Sequence, residues 1–183
     1  MSRYRKDDWL ELGARLLASE GAAALTLERL TAAAGRTRGS FYHHFADRDA
    51  FLMALMDRWR NEVLVVDGRR YEEAQTPAEV KKLMREQYLR MDHAFERAAR
   101  RFAANEPIVR AAVDEIDRAR MEGGACVLSH LRPELDDPQA AAIVQYATLV
   151  GLQWLVADPA DPRIPAIRKY GDKLFQLEDE DGG

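Results

Sequence analysis

Residues 27–45 read Leu-Glu-Arg-Leu-Thr-Ala-Ala-Ala-Gly-Arg-Thr-Arg-Gly-Ser-Phe-Tyr-His-His-Phe. Thr26 is a good N-cap, and the residues after it predict a short helix over 27–34. Gly35 breaks that helix, and a second short helix follows over about 37–45. Two short helices joined by a glycine-containing turn form a helix-turn-helix. At helical spacing Leu27, Leu30, Ala34, Phe41 and Phe45 can pack inward and hold the second helix rigid. That leaves Arg38, Gly39, Ser40, Tyr42, His43 and His44 outward. This outward set is rich in donors and lacks acids, as a helix seated in the major groove requires. Gly39 has no side chain, so the backbone can come close to the bases.

Working outward, helical spacing continues in both directions and no alternating strand pattern is present. A helix over 6–19 carries Trp9, Leu12, Leu16 and Leu17 on one face, and Glu20-Gly21 ends it. Asp47 can cap a fourth helix over about 48–66, with Phe51, Leu52, Leu55, Met56, Trp59 and Val63 at three- and four-residue steps. Asp67-Gly68 reads as a turn. Thr76-Pro77-Ala78-Glu79 is a capping box with proline at the first helical position, opening a helix expected to run to about 102. Glu106-Pro107 starts another region, with a break expected near Gly123-Gly124. Asp137-Pro138 opens a helix to 156, residues 158–162 read as a loop, and a last helix is expected over 165–177. The acidic tail 178–183 is expected to fray. The reading is all-α, with no internal repeat and no low-complexity stretch.

Composition agrees. Hydrophobic residues make up 47% of the 183 and charged residues 32%, which excludes a disordered chain. A single cysteine, Cys126, cannot close an internal disulfide, and the first residues lack the apolar core of a signal peptide, so the expected compartment is the cytoplasm. Residues 1–60 hold ten Lys/Arg and eight Asp/Glu, whereas 61–183 hold seventeen and twenty-three. An acidic chain is a poor general binder of nucleic acid unless its basic residues share one surface, and Arg3, Arg5, Lys6, Arg36, Arg38 and Arg48 all fall near the N-terminal end of the sequence. Residues 140–157 carry no charge and approach the lower limit for a membrane span. Gln145, Thr148 and Gln153, with acidic flanks, favour burial in a helix bundle or subunit interface instead.

The pattern from 5 to 55 resembles the TetR family of transcriptional regulators. The residues that carry the likeness are the apolar first helix, Gly21, Thr26-Leu27 and Ala34-Gly35, then Arg38-Gly39-Ser40-Phe41-Tyr42-His43-His44-Phe45 and Asp47-Arg48-Asp49-Ala50-Phe51. The resemblance implies that Thr26, Thr37, Tyr42, His44 and Arg48 contact the DNA backbone, and that Arg38, Gly39, Ser40 and His43 read bases. Many members carry lysine where this chain has Arg48, and arginine preserves the charge. Arg36 could add a phosphate contact. The resemblance also implies a homodimer on operator DNA, with residues 1–46 binding DNA and 47–183 serving regulation and dimerisation.

Beyond residue 55 the sequence speaks less clearly. Met84, Tyr88, Met91, Phe95, Ala98 and Phe102 follow one another at steps of four and three, a stripe that packs a core or walls an apolar pocket. Members of the resembled family bind small effectors in this part of the chain, so an apolar effector is expected among Trp59, Met84, Tyr88, Met91 and Phe95. Met121, Tyr146 and Trp154 could contribute from neighbouring helices. Helix 138–157 presents Ala140, Val144, Ala147 and Gly151 near one face, the expected dimer interface with helix 165–177 beside it. Glu122, Cys126 and His130 share a face, but no second cysteine supports a metal site. No catalytic constellation or cofactor motif is present, so neither an enzyme nor a cofactor is expected. The expected role is a repressor released from its operator by a small molecule, with the helix over 48–66 linking effector to DNA. An adaptor that recruits a protein partner while bound to DNA is the alternative.

Overall fold

The computed structural model describes residues 4–156, 158 and 160–174, and the side chains among them other than those of Asp67, Tyr88 and Leu89. Among the described residues ten α-helices follow one another and no strand occurs. They are α1 (Lys6–Glu20), α2 (Leu27–Ala34), α3 (Arg38–Tyr42), α4 (Arg48–Arg60), α5 (Gly68–Glu73), α6 (Pro77–Arg90), α7 (His93–Ala103), α8 (Pro107–Leu131), α9 (Pro138–Leu155) and α10 (Ile164–Leu174).

Four helix starts are made by the residues expected to make them. Backbone N–H groups of Arg29, Ala50, Glu79 and Ala140 donate to the side chains of Thr26, Asp47, Thr76 and Asp137, at 3.2, 2.7, 3.2 and 2.9 Å. Glu79 Oε2 accepts in return from the Thr76 N–H at 3.0 Å, completing the capping box.

The chain divides into two compact units. The first comprises residues 1–67 and 92–117. In it α1 packs on α2, α4 and α7 around Trp9, Leu17, Phe51, Leu55 and Met56. Gly13 of α1 is a point of close approach: a Cβ there would stand 2.5 Å from Phe51 Cζ. The second unit comprises residues 68–91 and 118–183. Within it α5 is tied to α6 by Arg70 to Glu86 at 3.0 Å and by the Tyr71 hydroxyl to Gln87 at 2.8 Å. Arg85 of α6 meets Asp172 of α10 at 3.5 Å. A Cβ on Gly124 of α8 would lie 3.4 Å from that of Ala142 on α9.

Four expected boundaries are corrected. The helix begun at Pro77 stops at Arg90, because Met91 is extended (φ −61°, ψ 131°) and Asp92 starts α7 by accepting from the Phe95 N–H at 2.9 Å. The stripe from Met84 to Phe102 is therefore divided between two helices. Asp67-Gly68 is no turn, since α4 leads through a π-helical stretch, Asn61–Asp67, directly into α5. The three valines of that stretch crowd a regular α-helix through their β-branches, and Gly68 has no left-handed φ. Gly123-Gly124 does not break α8: the helix runs through both, and neither adopts a left-handed φ. The regular part of the second helix of the pair is Arg38–Tyr42, shorter than 37–45, and closes in a turn through Phe45. Residues 175–177 of the last expected helix and the tail 178–183 lie outside the described residues, as do Ala157 and Pro159.

No helix among the described residues is long and apolar enough to cross a membrane. α9 buries Ala142 and Gln153 but leaves Ile143, Val144, Trp154 and Leu155 exposed on the protomer, with Ala140 and Ala147 exposed beside them.

Candidate nucleic-acid interface

The turn between α2 and α3 is built on Gly35, whose φ of 59° and ψ of 40° lie in the left-handed region. Glycine adopts it without the Cβ penalty, and the Arg36 N–H closes the helix end on the Thr31 carbonyl at 3.0 Å. Thr37 then caps α3, its hydroxyl accepting from the Ser40 N–H at 3.3 Å.

A short helix of five residues cannot hold itself in place. Phe41 does so: it is buried, with its ring edge-on to Trp9 at 5.4 Å and tilted against Phe45 at 5.1 Å and Phe51 at 5.6 Å. Leu30 is buried as well, and Leu27 and Ala34 pack on the same core. With Phe41 inward, Arg38, Gly39, Tyr42 and His43 are exposed and Ser40 half-buried. Nothing but Thr37 Oγ1, at 3.8 Å, comes near a Cβ placed on Gly39. The structure thus gathers the expected base-reading set on one surface.

Other expected contact residues have structural partners too. His44 is half-buried, with Nε2 3.0 Å from the Tyr4 carbonyl; the carbonyl can only accept, so Nε2 carries the hydrogen. The Arg36 guanidinium lies over the Tyr4 ring, 5.4 Å from its centroid. Burial, and secondarily the Asp8 carboxylate, raises the pKa of the Tyr4 hydroxyl above its ordinary value. Thr26 and Thr37 spend hydroxyl lone pairs on their caps, which leaves each O–H free to donate.

Two acids that the sequence reading passed over stand beside the key arginines. Arg38 Nη2 donates to Glu28 Oε1 of α2 at 2.6 Å. Arg48 Nη1 donates to Glu106 Oε2 at 3.0 Å, and the same guanidinium stands over the Phe102 ring at 5.7 Å. The α2 cap and the glycine turn were the signals that could have set Glu28 beside the start of α3. No local signal pointed to Glu106.

The candidate ligand residues separate between the units. Trp59 and Phe95 belong to the first, buried and edge-to-face at 5.3 Å. Met84, Tyr88, Met91, Met121, Tyr146 and Trp154 belong to the second. Met84, Met91 and Met121 are half-buried, Arg120 lies over the Tyr146 ring at 6.0 Å, and Trp154 is exposed. Tyr88 is on α6, and its side chain lies outside the described residues. Glu122 and Cys126 are exposed on α8, and a ring nitrogen of His130 pairs with the Cys126 carbonyl at 2.8 Å.

Residues 10–55, which contain all of α2 and α3, match the family model of bacterial regulatory proteins, tetR family. Through that stretch the chain is similar to the tetR family. No curated protein matches the chain in sequence. Among solved structures, a TetR-family transcriptional regulator from Rhodococcus sp. is 19% identical, with a TM-score of 0.69 over 96% of this chain and 98% of that one. A transcriptional regulator from Saccharomonospora viridis, solved in complex with choline, is 15% identical with a TM-score of 0.76 over 93% and 95%. The reduced form of NemR from E. coli is 18% identical with a TM-score of 0.73 over 97% and 99%. At these identities the likeness establishes a shared fold, and it extends over nearly the whole length of the chain.

Proposed function

We propose that this regulator is a cytoplasmic, non-enzymatic homodimer that represses transcription from an operator and leaves it when a small, largely apolar molecule binds. The observation that carries the reading is α3 itself: Phe41 fixes it to the core while Arg38, Tyr42 and His43 stand exposed. Residues 1–46 serve DNA binding and 47–183 regulation and dimerisation. Arg38, Gly39, Ser40 and His43 read bases. Thr26, Thr37, Tyr42, His44 and Arg48 hold phosphates, with Arg36 at the edge of the set. The exposed face of α9, with α10, pairs with a second copy. Six of the candidate effector residues lie in the second unit, and the choline complex of the Saccharomonospora viridis regulator supports a small-molecule ligand.

A gel-shift series tests the DNA reading. Arg38→Ala relaxes preference at one operator position, at roughly 1–3 kcal/mol for a bidentate guanine contact, whereas Tyr42→Ala weakens binding to all sequences. Operator affinity unchanged in both variants would overturn the assignment of α3.

A further inference from the structure

We propose that Glu28 is a specificity-determining residue of the DNA interface that acts by positioning Arg38; the inference rests on the DNA-binding reading above. The Arg38–Glu28 pair joins the first turn of α2 to the first residue of α3, and the two side chains are 64% and 67% exposed. An exposed pair of this kind contributes little to stability. Its consequence is geometric. The backbone that carries Arg38 is already fixed, by the Thr37 cap on one side and buried Phe41 on the other. What freedom remains lies in the arginine's own torsions, and Glu28 restrains those.

The alternative partner for an unrestrained arginine at this surface is phosphate, present at every sequence. An arginine that swings to phosphate adds affinity and no discrimination. A guanidinium has five N–H donors in a planar fork, and the bond to Glu28 engages one of them. The others can meet guanine O6 and N7 while Glu28 keeps its bond. At a base without two acceptors, Arg38 stays on Glu28 and nothing is gained. Glu28 is itself an anion close to where phosphates would lie, so it opposes every duplex equally. It thus lowers affinity for DNA in general and raises the share that depends on a guanine.

The test uses the full chain and a pool of randomised duplexes, from which wild type, Glu28→Gln and Glu28→Ala each enrich their preferred sites. Binding to one scrambled duplex is then measured across salt concentrations, and circular-dichroism melting checks the fold. Both variants are expected to melt with wild type, to bind the scrambled duplex more tightly with a steeper salt dependence, and to lose about ten-fold of the preference for guanine at one position in each half-site. A structural role alone would alter melting and leave base preference in place. If wild type enriches a site and Glu28→Gln keeps the same preference at every position, the inference is overturned and the DNA reading stands. If wild type enriches no sequence, the DNA reading falls and the inference with it.

Discussion

Arg48 Nη1 and Glu106 Oε2 lie 3.0 Å apart, although 58 residues of chain separate them. The pair fastens the first residue of α4 to the residue just before α8, and the Glu106 side chain is only 15% exposed. A phosphate would therefore compete with Glu106 for Arg48. Glu106→Gln removes the nearer of two competing charges, Asp49 at 3.7 Å being the other, and is expected to strengthen binding to DNA of any sequence, with a salt slope steeper by up to about 0.9 for one added phosphate contact. Arg48→Ala is expected to do the reverse. Fluorescence anisotropy across a salt series measures both, and slopes unchanged in the two variants would remove Arg48 from the phosphate-binding set.

Gly13 and Phe51 set the spacing of α1 and α4. A methyl group at 13 would stand 2.5 Å from Phe51 Cζ, and that ring in turn packs on Phe41 and Phe45, the anchors of α3. Gly13→Ala is expected to cost about 1–3 kcal/mol of stability, the usual penalty for overpacking a core. DNA affinity should fall with it, because the strain reaches Phe41. Urea denaturation with the midpoint of wild type would show that the ring yields at no cost.

The helix starts were legible because caps are local: Thr26, Asp47, Thr76 and Asp137 each bond to a backbone N–H three residues on. The inward face of the helix-turn-helix was legible for the same reason, since Leu30, Phe41 and Phe45 follow short-range spacing. The misread boundaries are places where a local rule met a competitor. The apolar stripe through Met91 continued past Asp92, and the cap prevailed over the stripe. The glycine pair in α8 and the one at Asp67-Gly68 carry turn chemistry, yet none adopts a left-handed φ. Glu28 follows from no helix spacing and needed the geometry of the glycine turn to set it beside Arg38, whereas tertiary packing alone brings Glu106 to Arg48. The outer face that lacks acids in sequence has Glu28 on Arg38 in space, and Arg48 of α4 has both Glu106 and Asp49.

Asp161 supplies a pH prediction. Its carboxylate accepts from the Arg163 side chain and from the Arg163 backbone N–H at 2.8 Å, and these bonds lower its pKa from 3.8 to about 2. The folded-state value is depressed, so the stabilisation is fully present above pH 4 and is lost as pH falls toward 2. Carboxyl carbon shifts followed by NMR should show Asp161 titrating near 2 in wild type and higher in Arg163→Ala, though still below 3.8 because the backbone N–H at 163 remains. A wild-type midpoint near 3.8 would mean that the contact does not persist in solution.

Dimerisation through α9 makes a separate prediction. The helix bears no Asp, Glu, Lys or Arg, yet Val144, Trp154 and Leu155 are exposed on the protomer along with Ala140 and Ala147. A second copy covering this face would remove that apolar surface from water, and the small side chains let two helices approach closely. Ala147→Arg is expected to give monomers that bind operator poorly, since one helix-turn-helix reads only a half-site. Light scattering measures the mass, and a dimer of normal mass for this variant would move the interface elsewhere.

Control by an effector is the prediction with the widest reach. A ligand that binds the operator-competent and released states with equal affinity shifts nothing, however tightly it binds. One that releases DNA must bind the released state better, and a bias of about 1–3 kcal/mol changes operator affinity roughly 5–150-fold. The coupling is reciprocal, so saturating operator must weaken the ligand by the same factor. The second unit is the place to look, where Met84, Met91, Met121 and Tyr146 are half-buried and adaptable. A thermal-shift screen of small molecules is expected to find a stabilising ligand whose calorimetric affinity drops when operator is added. Met91→Trp is expected to exclude that ligand and leave operator affinity intact, giving a repressor that no longer responds. Ligand affinity equal with and without operator would break the coupling, and a DNA-bound chain that recruits a protein partner would then be the better account.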